Sequence, residues 1–446
     1  MKKLFKYVLC LVIVMVVGSL GSTYYVSQQV EKRIRALAGA VVTNSYGFMD
    51  VTVDSYRTGL FKSEAILLLS CKICKDVQPI KTHYTIWNGP VIYTGESHKP
   101  IAFELAIINP KVENLPKNYQ MNAVTKMTVH YNTEIDSETR IESLRILHDG
   151  IEISSPLWKE KSHINQLNVV DYAEFEGPSV LCESKNALLS IDNFKMSFKR
   201  EENAQEELKT WNIAFEKIAE KIKNVTFHDL NIDWKLKLLI AENNFNNQLD
   251  IKFKQLEVQD KHYENSQLTV EINNIDKTVI EDLVSTGMKM AGLSKDVVAS
   301  DPMILLQKFL LKKPELVVKD TSVSIPEGKI EPELFLSVGG DSLKMPIHKE
   351  NLDETFTGRL KVNLPKDVFV NFLRDHVAKN MARDEGYQKL DDAHKKEALD
   401  KQMDIKIKKL MLDGVISENN GIDTVQISIE KGKWVLNGKE VSSPIN

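Results

Sequence analysis

The sequence predicts an α+β fold in which an N-terminal transmembrane helix precedes a large, mostly antiparallel β-sheet body with interspersed amphipathic helices. Three observations lead there. An uncharged apolar run lies near the N-terminus, many stretches alternate apolar and polar residues, and a few carry apolar residues at helical spacing. The 446 residues are 42% hydrophobic and 27% charged, an ordinary globular composition with length for about two to four domain-sized units. With 58 basic and 62 acidic side chains the formal net charge is −4, so no basic field for nucleic acid exists.

Lys2, Lys3 and Lys6 form a short basic tip (1–6) ahead of the apolar run 7–26. As a helix that run would extend about 30 Å, the thickness of a hydrocarbon core. The basic flank predicts a cytoplasmic N-terminus and a single-pass inner-membrane protein with its body in the periplasm, the bilayer being its first partner. The core of the run, 8–17, followed by Ser19-Leu20-Gly21, also fits a cleaved signal peptide. Cys10 lies inside the run after Leu9 and does not match a lipoprotein cysteine. Segment 27–45 then reads as a juxtamembrane amphipathic helix, with Val30, Ile34, Leu37 and Val41 on one side.

From Tyr46 the period changes to two. Strands are predicted at 49–53, 63–70, 80–87, 101–108, 125–132, 140–147, 166–172 and 187–198, completing an N-terminal β-rich region, 46–200. A C-terminal β-rich region with helical insertions, 201–446, has strands at 249–258, 266–272, 315–325, 333–338 and 355–362. Leu208, Trp211, Phe215, Ile218 and Ile222 predict an amphipathic helix over 201–223. Further helices are predicted at 276–293, where Thr278 and Glu281 have capping-box spacing, and from Asp301-Pro302 to Pro314. A helical hairpin follows at 367–383 and 387–403, and the chain closes in β structure with Asn437-Gly438 as a tight turn.

The order of short motifs resembles the YdgA-like family of bacterial inner-membrane-anchored envelope proteins, a domain of unknown function. They are Tyr56-Arg57-Thr58-Gly59-Leu60-Phe61, then Asn88-Gly89-Pro90 where the family usually has His-Gly-Pro, and a final strand ending in Asn437-Gly438. The resemblance implies an inner-membrane anchor and a periplasmic body, and implies no reaction. Read physically, the motifs are turn chemistry: Gly59 supplies a residue tolerant of positive φ, Phe61 pins that turn to the sheet, and Gly89-Pro90 and Asn437-Gly438 reverse the chain.

Cys71-Lys72-Ile73-Cys74 is the one motif with reactive potential, as a redox pair or half a zinc site. It follows a strand-like run where a redox pair needs a helix start. A structural disulfide, within the pair or from Cys182 to one of its members, is the blander reading. The histidines are scattered; His376 and His394, near Asp375 and Asp391, offer only a conceivable metal pair. With no catalytic or cofactor fingerprint, the sequence points to a non-enzymatic scaffold, assembly factor or binder of an apolar ligand such as lipid, with another envelope protein as a second kind of partner and no cofactor. The alternative is a thiol–disulfide protein using Cys71 and Cys74.

Overall fold

The structure is a computed structural model. It describes the chain except residues 1, 45–48, 72–77, 94–100, 116–117, 149, 185–186, 221–224, 259–260, 280–281, 283–307, 326, 339–355, 384, 415, 420–421, 431–432 and 442–446. Among the described residues, one compact unit holds Met1–Glu201 and Lys209–Ile222, and a second holds Glu202–Leu208, Lys223–Thr286 and Val298–Asn446.

The first unit begins with helix α1, Lys2–Asn44, followed by β1 (Met49–Arg57), β2 (Lys62–Cys71), β3 (Ile80–Asn88), a small ribbon of β4 (Ile92–Tyr93) and β5 (Ile101–Ala102), and β6 (Ala106–Val112). Next come β7 (Tyr119–Val129), β8 (Ile135–His148), β9 (Ile151–Ser155), β10 (Trp158–Ile164), β11 (Val170–Ser184) and β12 (Ala187–Glu202). Pairing is antiparallel throughout, in the order β1-β2-β3-β6-β7-β8-β10-β11-β12, with β9 joined to β8 and β11. Directly opposed residues share a face of a sheet. Ile86, Ile108 and Met127 therefore project to one side, where Val26, Val30 and Ile34 of α1 bury them. The i, i+4, i+8 spacing of those three residues makes one stripe down the helix.

Two expectations are corrected here. One unbroken helix runs through 7–26 and on to Asn44, and among the described residues no helix is long and apolar enough to cross a membrane. The predicted transmembrane anchor and the single-pass inner-membrane, periplasm-facing location are overturned. Thr23 and Val26, inside the stretch read as a span, are already buried with the helix stripe that packs on the sheet. The second correction concerns 201–223. The stretch is a strand, β13 (Glu206–Glu220), because Trp211, Ile213 and Phe215 also alternate and the aromatic rings find partners on β12. Trp211 lies 5.2 Å from Phe198 and Phe215 5.4 Å from Phe194, centroid to centroid. Such pairs add about 0.5–1.5 kcal/mol beyond their buried area, which outweighs small differences in local propensity.

The second unit is built on β14 (Val225–Leu239), β15 (Asn244–Val258), β16 (Lys261–Asp276), β17 (Glu315–Ile325), β18 (Gly328–Val338) and β19 (Phe356–Pro365). Helices α2 (Lys366–Met381), α3 (Glu385–Gln388) and α4 (Asp392–Leu412) follow, then β20 (Ser417–Asn419), β21 (Ile422–Glu430), β22 (Lys433–Leu436) and β23 (Lys439–Val441). The predicted hairpin is present, with the one-turn α3 between its arms. Asp391 caps α4 by accepting from the His394 backbone N–H at 2.9 Å. Leu373 and Val377 of α2 meet Met403 of α4 in a small core of their own. Of the helices predicted at 276–293 and 301–314, residues 277–279 and 308–311 are helical, and most of the rest lies outside the described residues.

Ile86 is fully buried beneath α1. Ile86→Ala is expected to cost about 2–5 kcal/mol in urea unfolding; a loss below about 1 kcal/mol would show that α1 does not seat on this strand.

Candidate functional site

The most extensive candidate surface is one face of the second unit's sheet. Trp234 of β14 stands directly opposite Leu249 of β15, and Leu249 opposite Val270 of β16. Val270 opposes Val318 of β17, which opposes Leu334 of β18. Leu334 opposes Leu360 of β19, Leu360 opposes Ile427 of β21, and Ile427 opposes Leu436 of β22. Eight strands thus contribute one apolar residue each to a single row, about 34 Å long at the usual strand spacing of about 4.8 Å. Beside it runs a second row that includes Ile272, Leu316, Leu336, Ile429 and Trp434. Gly358 lies opposite Leu336 in that row, and a Cβ there would sit 3.0 Å from Leu336 Cδ1.

These rows are not sealed. Every residue of the first is half-buried except Trp234, which is 38% exposed. The intervening positions are mostly polar: Asp250 accepts from Thr269 Oγ1 at 2.7 Å, and Lys319 pairs with Glu271 at 2.7 Å. Near Glu315, Phe309 and Leu310 line, together with Ile272, Leu316 and Leu336 of the second row, an open cavity of about 220 Å³. Its walls are almost wholly hydrocarbon.

The motif residues noted in the sequence lie elsewhere, in the first unit, and most of them converge. Asn88 is buried; its Nδ2 donates to Gly59 O at 2.9 Å, Ser63 Oγ at 2.9 Å and Leu60 O at 3.3 Å. Ser63 Oγ lies 2.8 Å from Ser27 Oγ on α1, and Tyr56 Oη donates to the Ser27 carbonyl at 3.3 Å. Burial pushes the Tyr56 hydroxyl pKa up. Gly59 is needed for close approach, since a Cβ would lie 2.0 Å from Lys62 O. At Gly89 it would lie 1.8 Å from Glu104 O, and the Gly89–Pro90 peptide is cis. Phe61 does not pin its turn: its side chain is 62% exposed, and its carbonyl instead accepts from Asn88 N at 3.0 Å. Asn437 and Gly438 both have positive φ and make the two-residue turn between β22 and β23.

Cys71 ends strand β2 opposite Met49, not at a helix start, and Cys74 lies outside the described residues. Cys182 on β11 is a half-buried free thiol. His376 contacts Asn380, and His394 contacts its own helix cap, Asp391. Among the described residues no group of His, Cys, Asp and Glu is arranged to hold a metal ion.

What the sequence reading missed is a titratable cluster. Asp136 bridges two imidazoles, 2.8 Å from His130 Nε2 and 2.7 Å from His163 Nδ1, and Glu104 lies 2.9 Å from His130 Nδ1. Glu134 and Asp171 stand 3.8 and 3.9 Å from His163 Nε2. On α1, Arg33 donates to the carbonyls of Gln166 and Asn165. Burial alone would lower the His130 pKa, but its bonds to Asp136 and Glu104 outweigh that and raise it; burial alone would raise Asp136, but the two imidazoles hold it down. Strand pairing, β7 with β8 and β8 with β10, brings these residues together, which sequence separation conceals.

A model of a bacterial protein family of unknown function, DUF945, matches residues 1–444. The chain belongs to DUF945. No curated protein matches it. The DUF945 match spans both units, so the apolar rows and the Asn88 network lie within one family-wide stretch of sequence.

Two outcomes are expected. Asn88→Ala leaves the Gly59 carbonyl and Ser63 hydroxyl short of a donor in a buried site and should cost about 1–3 kcal/mol in denaturant titration. His130 stabilises fully below its unfolded pKa of about 6.5 and loses that contribution as pH rises through its raised folded value. Asp136 stabilises above about 3.9 and loses its contribution as pH falls through its lowered one. Unfolding titrations should therefore show the cluster's contribution greatest between about pH 4 and 6.5, and His130→Gln should flatten the decline above that window.

Proposed function

We propose that this DUF945 protein binds an extended apolar molecule, an acyl chain or lipid, along the rows of its second unit, and that it acts as a binder and not as an enzyme. The observation that carries the reading is the unbroken apolar row from Trp234 to Leu436, in which every residue keeps some exposure to solvent. Apolar surface left in contact with water is costly, at about 25 cal/mol per Å². An acyl chain laid across it would recover about 0.8 kcal/mol for each methylene buried. The open apolar cavity lined by Phe309 and Leu310 offers such a chain a further seat. Membership of DUF945 is compatible with the YdgA-like resemblance and names no ligand. The thiol–disulfide alternative gains nothing from Cys71, which ends a strand, or from Cys182, a free thiol.

The test is lipid retention by the full chain. Native mass spectrometry of gently purified protein should show a bound mass in the phospholipid or fatty-acid range, and a fluorescent stearate should bind saturably. Val318→Lys with Leu334→Glu sets a complementary ion pair in mid-row while keeping the strands paired. It should weaken stearate binding at least tenfold with the circular dichroism spectrum unchanged. A bare polypeptide mass together with no saturable stearate binding would sink the reading.

A further inference from the structure

A second site lies in the first unit, on the face of the sheet opposite α1. Strands β6 and β7 pair over only three residues, Ala106 with Val129, Ile107 with Thr128 and Ile108 with Met127. Beyond that point they part. Residues 109–112 of β6 remain paired with β3 alone, and residues 119–126 of β7 with β8 alone. Two strand edges thus face each other across a cleft of about 750 Å³. Consecutive residues line it from both sides, Asn109 to Lys111 on one and Asn122 to Lys126 on the other, so its walls are backbone edges as well as side chains. Pro110, a residue that sheets confine to their edges, stands on the β6 side.

We propose that this cleft receives an extended peptide strand of another polypeptide, which completes the sheet between β6 and β7. An open strand edge is a template for a further strand, and an inserted segment between two edges finds partners for its backbone on both sides. Side chains select which peptide. Trp87, Ile92, Tyr93 and Ile107 form an apolar wall, with Trp87 40% and Tyr93 78% exposed. Among the described residues the remaining lining includes Lys111 and Lys126 and no carboxylate. The matching partner is therefore a strand with an aromatic or aliphatic anchor and acidic residues at alternate positions. The site is independent of the apolar rows of the second unit, so either reading can fail alone.

The experiment uses the full chain and a fluorescein-labelled decapeptide alternating valine and glutamate with one phenylalanine. Two control peptides replace the central valines by proline, or every glutamate by lysine. The expected result is saturable binding of the first peptide, with amide exchange of the unmodified protein slowed in 109–112 and 119–126. Either control peptide, or Trp87→Ala in the protein, should bind at least tenfold more weakly. The proposal is overturned if the first peptide does not bind saturably, if the proline peptide binds equally well, or if the slowed amides lie away from these two edges.

Discussion

Cross-strand partners in an antiparallel sheet must project to the same side, and that constraint organises both units. Once Trp234 is set opposite Leu249, the side that carries Val270, Val318 and Leu334 follows strand by strand. A one-residue slip at any step would send the next strand's apolar residues to the charged side. In the first unit the same rule puts Ile86, Ile108 and Met127 on one face and Trp87, Ile107 and Thr128 on the other. The alternation of the sequence is thus converted into two-sided sheets whose sides have different chemistry.

The units differ in what lies on the apolar side. Helix α1 covers the first strands of the first unit with Val26, Val30 and Ile34, and Ser27 joins the Ser63–Asn88 network under the same helix. Polar groups buried this deeply are stable only when bonded, and the shared hydroxyl of Ser63 ties helix, turn and strand together. In the second unit α2 and α4 place Leu373, Val377 and Met403 against one another, and the eight-strand row stays half-open. Among the described residues, that row keeps part of its apolar surface accessible.

Much of this was legible in the sequence. The strand predicted at 315–325 matches β17 residue for residue, since it is rich in β-branched residues and Pro314 marks its start. The helical hairpin was legible as two helical stretches, but its second arm was started at Tyr387, whereas Asp391 caps a helix that begins at Asp392. Residues 206–220 were misread because Leu208, Trp211, Phe215 and Ile218 satisfy a helical period while Trp211, Ile213 and Phe215 satisfy a strand's, and the rings of Phe194 and Phe198 decide between them. The helix–sheet contact at Val26 was hidden for a related reason: a long apolar run does not say whether lipid or protein will meet it. Asn88 was legible as a turn residue but not as an amide whose two N–H groups serve three nearby acceptors, because Gly59, Leu60 and Ser63 come near only when β2 and β3 pair. The apolar rows could not be read before the register was known.

The order of strand pairing bears on how the chain reaches its fold. In the first unit β1 to β3, β6 to β8 and β10 to β12 join in sequence order, and β14 to β19 do so in the second. Most contacts of these sheets therefore close short loops, giving a low contact order for so much β structure. Hairpins added one after another can follow the chain as it leaves the ribosome, with each new strand templated by the one before. The pairing of β19 with β21 must wait for the intervening helices, so the C-terminal edge is the last part of the sheet to be laid down.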